Sequence, residues 1–137
     1  MYPLFQELSY ATRRMISADS LVLKEFGITY SQWTFIVYLD HHQPSSLAPI
    51  ARYYLIKKPA ITVIKKKFLD LGWIQEQVGT DQRERLVSLT QKGQRNFKII
   101  NQRIRQLEQH FFKRLTESEK KQLQEMLFRI NREDANK

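Results

Sequence analysis

The chain has no cysteine among its 137 residues, which removes disulfides, thiolate metal sites and cysteine redox sensing together. Glycine and proline are scarce, four of each, and no apolar run approaches the roughly 18 residues that a membrane-spanning helix needs. The N-terminus lacks the basic start and apolar stretch of a secretory signal, so a cytoplasmic location and no membrane partner are the expectation. Gly-rich phosphate loops, Gly-x-Ser-x-Gly, His-Glu-x-x-His and a clustered acid pair on one face are all missing, which argues against an enzyme and gives no reason to expect a cofactor. The three histidines, His41, His42 and His110, fit no recognised ligand spacing even with Asp40 or Glu108 beside them. No metal site is assigned to them.

Acidic side chains are the other shortage: 14 against 23 Lys and Arg, a formal net charge of +9. That balance favours a polyanionic partner, with nucleic acid first and an anionic membrane surface second. The excess lies in the middle of the chain, because residues 1–56 and 116–137 are each neutral on balance. Lys57, Lys58, Lys65, Lys66 and Lys67 fall close together with no acid among them, and between Leu86 and Leu115 Glu108 is the only acid. A charge run is often just a solvated helix face, so these cations carry meaning only with the architecture around them.

With 42% hydrophobic residues, the chain suffices for one core and one domain, 1–137. From Pro3 to about Glu25, Leu4, Leu8, Ala11, Met15, Ala18 and Val22 mark one stripe of a long helix that Gly27 ends. Thr29 with Gln32 has the capping-box spacing, opening a second helix with Trp33, Ile36, Val37 and Leu39 on its apolar face. Ser45 or Ser46 is placed to cap a short third helix with Leu47, Ile50, Ala51 and Tyr54 inward, and a break follows at Leu55 and Ile56.

The next helix, about 58–71, separates Ile61, Ile64, Phe68 and Leu71 from an outward arc of Lys58, Thr62, Lys65 and Lys66. Gly72 closes it, and the runs 73–78 and 86–89 flank a polar tip holding Asp81, Arg83 and Arg85, the layout of a β-hairpin. Thr90 caps a fifth helix with the stripe Phe97, Ile100, Ile104, Leu107 and Phe111. Thr116 with Glu119 opens a sixth, with Leu123, Met126, Leu127 and Ile130 on its apolar side.

This order predicts a mainly α fold with a small β-hairpin wing: a winged helix-turn-helix lobe, 31–90, between helical segments 1–28 and 91–137. The basic helix 58–71 stands in the recognition position, where N-terminal residues meet base edges in the major groove of duplex DNA. Lys57, Lys58 and Thr62 are the expected base readers, and Lys65 and Lys66, one turn on, suit phosphate or base. The competing readings are a nonspecific polyanion-binding or architectural protein and a metal-responsive regulator using the histidines. The first predicts salt-sensitive binding without preference among duplex sequences.

Leu71-Gly72-Trp73-Ile74, then Asp81-Gln82-Arg83, then Leu86-Val87-Ser88-Leu89-Thr90-Gln91-Lys92-Gly93 resembles the wing and wing exit of the MarR (multiple antibiotic resistance regulator) family. The resemblance implies a transcriptional regulator, by family habit a repressor, with Arg83 inserted in the minor groove, Asp81 orienting the wing tip and Arg85 on the DNA backbone. It implies that helices one, five and six interlock with a second copy, so that the homodimer reads a pseudo-palindromic operator. It also implies release of DNA by a small aromatic or phenolic effector, for which Tyr10, Met15, Tyr30, Trp33 and Phe35 are the candidate wall. Two features depart from the family pattern: Lys57-Lys58-Pro59-Ala60 stands where Ser or Thr often begins the recognition helix, and Lys66 where an acid is common.

Overall fold

The computed structural model describes residues 1–132; residues 133–137 of the expected 91–137 segment lie outside that range. Its elements run α1 (Pro3–Glu25), α2 (Tyr30–His42), α3 (Leu47–Tyr54), α4 (Lys58–Asp70), β1 (Ile74–Val78), β2 (Arg85–Leu89), α5 (Gln91–Phe111) and α6 (Glu117–Asn131). This is the mainly helical, winged helix-turn-helix architecture expected from the sequence. No helix among the described residues is long and apolar enough to cross a membrane.

Local chemistry sets most boundaries. Gly27 closes α1 with φ 73° and Gly72 closes α4 with φ 74°, conformations that cost a Cβ-bearing residue strain. The capping boxes at Thr29–Gln32 and Thr116–Glu119 both form, and the Thr90 hydroxyl accepts the Gly93 N–H. One expectation fails here: Ser46 occupies the N-cap position of α3, but no side chain caps that helix. The Ser45 hydroxyl donates instead to the Ser46 carbonyl. The turn between α3 and α4 is made by Leu55, left-handed at φ 55°.

The core lies under the helix-turn-helix. Phe35 and Ile36 of α2, Ile50 of α3, Ile61 and Phe68 of α4, Val87 of β2 and Ile100 of α5 are buried together, and Phe35 stacks on Phe68 at 5.9 Å between ring centres. The antiparallel hairpin pairs Ile74 with Leu89 through Val78 with Arg85. A lone hairpin would be marginal. Here Ser45 adds a backbone bridge to Val87, and Gln43 Oε1 accepts the Leu89 N–H at 2.8 Å, so the exit of α2 clamps the wing's inner strand.

Gly93 shows how tightly α5 sits on the base of the wing. A Cβ there would stand 2.9 Å from the carbonyl carbon of Trp73 and closer still to its oxygen, which accepts the Thr90 N–H. Alanine normally favours a helix over glycine by about 1 kcal/mol, but overpacking against backbone costs about 1–3 kcal/mol. Gly93→Ala is therefore expected to lower the urea or thermal unfolding midpoint. A raised midpoint would mean that the close approach does not constrain the fold.

Long faces of α1 and α6 remain uncovered. Leu4, Phe5 and Leu8 of α1 are exposed, and so are Met126, Phe128 and Ile130 of α6, a helix with no buried residue. The stripe read from Leu4 and Leu8 therefore does not enter this chain's core in its first two turns. The α1 residues that do are Asp19 and Leu23, at the end held to α5 by the Glu25–Arg103 ion pair at 2.7 Å.

Candidate nucleic-acid interface

The first turn of α4 carries Lys57 and Lys58 with Pro59, and no side chain caps it. Its amide N–H groups are therefore available to an anion, in addition to the two ammonium charges beside them. Lys57, Lys58, Thr62 and Lys66 are all exposed on the outward face. The Thr62 hydroxyl donates to the Lys58 carbonyl at 3.0 Å, which leaves its oxygen lone pairs and methyl group to face a partner. A cleft between α3 and α4 is lined by Ala48, Arg52, Lys58 and Thr62. Arg52 thus joins the cationic face from the preceding helix; a single Arg on a short helix gave no signal in the sequence.

Lys65 is placed differently from its neighbours. It is half-buried, and its ammonium is paired with the Glu76 carboxylate on β1. The pair ties α4 to the wing, so Lys65 offers a partner less free charge than the pattern of five lysines implied. Of the cations on the outward arc, Lys57, Lys58 and Lys66 remain fully presented.

At the tip of the wing, Asp81 Oδ1 accepts the Arg83 N–H at 3.0 Å, and the Asp81 carbonyl accepts the Glu84 N–H at 2.8 Å. The short side chain thus holds the turn by mimicking a backbone acceptor. Asp81 touches the backbone of Arg83, not its guanidinium. Arg85 donates through Nη1 to the Gln82 carbonyl at 3.2 Å, and both arginines are exposed. The result is a hydrogen-bonded loop that presents two exposed guanidinium groups at its end.

The effector candidates differ in exposure. Tyr10 is exposed on α1 beneath the Arg14 guanidinium, 5.6 Å from its ring centre, and Met15 is half-buried. Trp33 is buried and stacks on Phe97 at 5.4 Å, while Phe35 lies wholly in the core. Tyr30 is half-buried, and its hydroxyl is pushed above its usual range by burial and then by the carboxylates of Asp19 and Glu108. The Asp19 carboxyl is pushed up to about 8, first by its burial and then by the hydrogen bond and charge of Glu108. Its Oδ1 is buried with no hydrogen-bond partner. This acid pair was not legible as a site, because Asp19 sits beside the apolar stripe of α1 and Glu108 lies 89 positions later in the sequence. Among the described residues no group of His, Asp and Glu is arranged to hold a metal ion.

No protein-family model matches the chain. It is 27% identical to the HTH-type transcriptional regulator YwoH of Bacillus subtilis over 106 residues, covering 77% of each protein. Its fold superposes on that of a MarR mutant from E. coli complexed with operator DNA with a TM-score of 0.82 at 20% identity, covering 96% of this chain and 95% of the other. It superposes on MarR of Staphylococcus aureus, in complex with salicylate and kanamycin, with a TM-score of 0.81 at 21% identity, covering 93% and 87%. The resemblance read from the wing is borne out: the fold is that of the MarR winged-helix regulators, and the similar sequence belongs to an HTH-type transcriptional regulator.

Proposed function

We propose, from this MarR-type fold, that the chain is a sequence-specific regulator of transcription that binds double-stranded DNA as a homodimer in the cytoplasm. The observation that carries the reading is the exposed set of Lys57, Lys58 and Lys66 on α4 with Arg83 and Arg85 on an ordered wing tip. In the proposed complex α4 enters the major groove. Lys57, Lys58 and Thr62 stand nearest the bases, while Lys66 and, after release from Glu76, Lys65 approach phosphates. Asp81 holds the wing so that Arg83 reaches the minor groove, whose narrow, strongly negative form attracts Arg, and Arg85 reaches the adjoining backbone. The operator-bound MarR of similar fold supports this reading.

The dimer is supported by the uncovered apolar faces of α1 and α6. Sedimentation equilibrium is expected to give twice the mass of the chain. Leu8→Glu and Phe128→Glu, which place charges on those faces, should each shift the equilibrium toward the monomer; a monomeric wild-type protein would contradict the reading.

Regulation follows from geometry. Two recognition helices on one dimer gain affinity only when both reach successive grooves, so a ligand that alters their separation loses the paired contacts. The proposed regulator is a repressor released by a small aromatic or phenolic molecule bound where α1, α2 and α5 meet, near Tyr10, Met15, Tyr30 and Trp33. The salicylate complex of the Staphylococcus aureus protein supports that ligand class.

The test is selection of bound fragments from random duplex DNA at about physiological salt, where nonspecific binding is weak. An enriched pseudo-palindrome is the expected result. No enriched motif, with binding that vanishes as salt rises, would leave a general polyanion binder.

A further inference from the structure

The three consecutive lysines of α4, which form one run of charge in the sequence, meet three different fates. Lys65 is paired with Glu76 of β1, and Lys66 is exposed. Lys67 turns the other way: its ammonium donates to the Gly27 carbonyl at 2.7 Å and to Gln32 Oε1 at 2.9 Å. Gly27 is the left-handed residue that closes α1, and Gln32 Oε1 also accepts the Thr29 N–H at 2.9 Å, half of the capping box that opens α2. One ammonium thus joins the end of α1, the start of α2 and the last turns of α4. A cation at the end of α1 also meets the negative pole of that helix and its unsatisfied carbonyls.

From this geometry we infer that Lys67 is a positioning residue for DNA recognition, tying α4 to the α1–α2 corner so that the setting of α1 fixes the angle of the recognition helix. The inference rests on the proposed DNA-binding role of α4. The ammonium is held by two acceptors and points away from the outward arc, so Lys67 does not act as a phosphate contact. Its partners lie 40 and 35 residues away in the sequence: Gly27 follows the last turn of α1, the helix whose first two turns carry the uncovered apolar face, and Gln32 lies in the first turn of α2. Lys65 and Lys67 together pin α4 on two sides, to the wing and to the corner. Any change that moves α1 therefore moves α4 through this contact.

Salt dependence separates positioning from phosphate contact, because each phosphate neutralised adds about one unit to the slope of log affinity against log salt. Lys67→Met keeps the stem and removes the ammonium. On the enriched duplex it should leave the slope unchanged and lower the ratio of specific to scrambled-duplex affinity about tenfold, and Lys67→Arg, which keeps donors, should recover most of that ratio. Lys66→Met, the comparison, should lower the slope by about two, one unit for each protomer, with the ratio retained. A reduced slope for Lys67→Met would make it a phosphate contact and overturn the inference, as would an unchanged ratio.

Amide hydrogen exchange of the free protein tests the tether without DNA. Lys67→Met should speed exchange in the last turns of α4 and at residues 28–32 together, with the rest of the core protected as in wild type. Unchanged exchange at both segments would overturn the tether even if wild type prefers no duplex sequence, an outcome that would by itself refute only the DNA-binding reading.

Discussion

Arg83→Ala is expected to weaken binding to the enriched operator by roughly 30- to 20,000-fold while leaving the unfolding midpoint within its experimental spread. The guanidinium is exposed and makes no hydrogen bond among the described residues, so its removal leaves the hairpin's own contacts intact. The Asp81 contact is to the Arg83 backbone and survives the substitution. A groove-reading Arg is worth about 1–3 kcal/mol, and the proposed dimer carries two wings, so the losses combine. The salt slope should fall by about two if each guanidinium also displaces a counterion. Fluorescence anisotropy titrations at several salt concentrations measure both quantities. Equal affinities for Arg83→Ala and wild type would remove the wing from the interface.

The second large effect concerns pH. Asp19, 1% exposed, has its carboxyl raised from an ordinary 3.8 to about 8 by burial and by Glu108. The groups facing it are Glu108 from α5 and Tyr30 from α2, neither of them cationic. Over that interval the folded chain holds a proton that the unfolded chain releases, so stability must fall as pH rises from about 4 through about 8 and level off above. Burial and the Glu108 carboxylate both favour the protonated form, so ionising Asp19 costs the folded state more than the unfolded one. The Glu25–Arg103 pair works in the opposite sense: its carboxyl, held low chiefly by the hydrogen bond from Arg103, contributes at neutral pH and is lost in acid. Both groups of that pair are exposed, and the contribution is correspondingly small.

Asp19→Asn keeps the shape of the side chain without an ionisable proton. Its melting temperature should exceed that of wild type at pH 8 and be nearly flat where wild type declines. A wild-type melting temperature that rises steadily from pH 5 to pH 9 would contradict the buried acid pair. Because Asp19 and Glu108 link α1 to α5 beside Tyr30, the same titration is expected to loosen the junction proposed for the effector.

The architecture was legible because its signals are local. Helix starts at Thr29, Thr90 and Thr116 and helix ends at Gly27 and Gly72 depend on groups within four residues, and each forms as read. Periodicity failed where a helix has neighbours on two sides. In α2 Trp33, Phe35, Ile36 and Leu39 are all buried, because Trp33 meets α5 while Phe35 meets α4, so a single stripe could not identify Phe35 as core. In α1 the stripe predicts a helix but not what covers it: Leu4 and Leu8 lie beyond the end of the domain's own packing, on the face proposed for the second copy.

The candidate interface was legible as a set of residue types and less so as a geometry. That Lys58, Thr62 and Lys66 would face outward followed from a 100° period, and Lys57 followed from its place at the start of the helix. That Lys65 and Lys67 would be turned aside to Glu76 and to the Gly27–Gln32 corner depends on contacts between distant segments. A run of lysines reads as one electrostatic feature, yet its members divide between presenting charge and holding the helix that presents it.

Methylation interference on the enriched duplex tests the central claim most directly, because it reports which groove each element occupies. A dimer reading two major grooves should show interference from guanine N7 methylation, in the major groove, at two clusters about one helical turn apart, and from adenine N3 methylation, in the minor groove, just outside them. Arg83→Ala should abolish the outer signals and leave the inner ones. Interference confined to the minor groove, or spread evenly along the duplex, would contradict a dimer that reads two major grooves with α4.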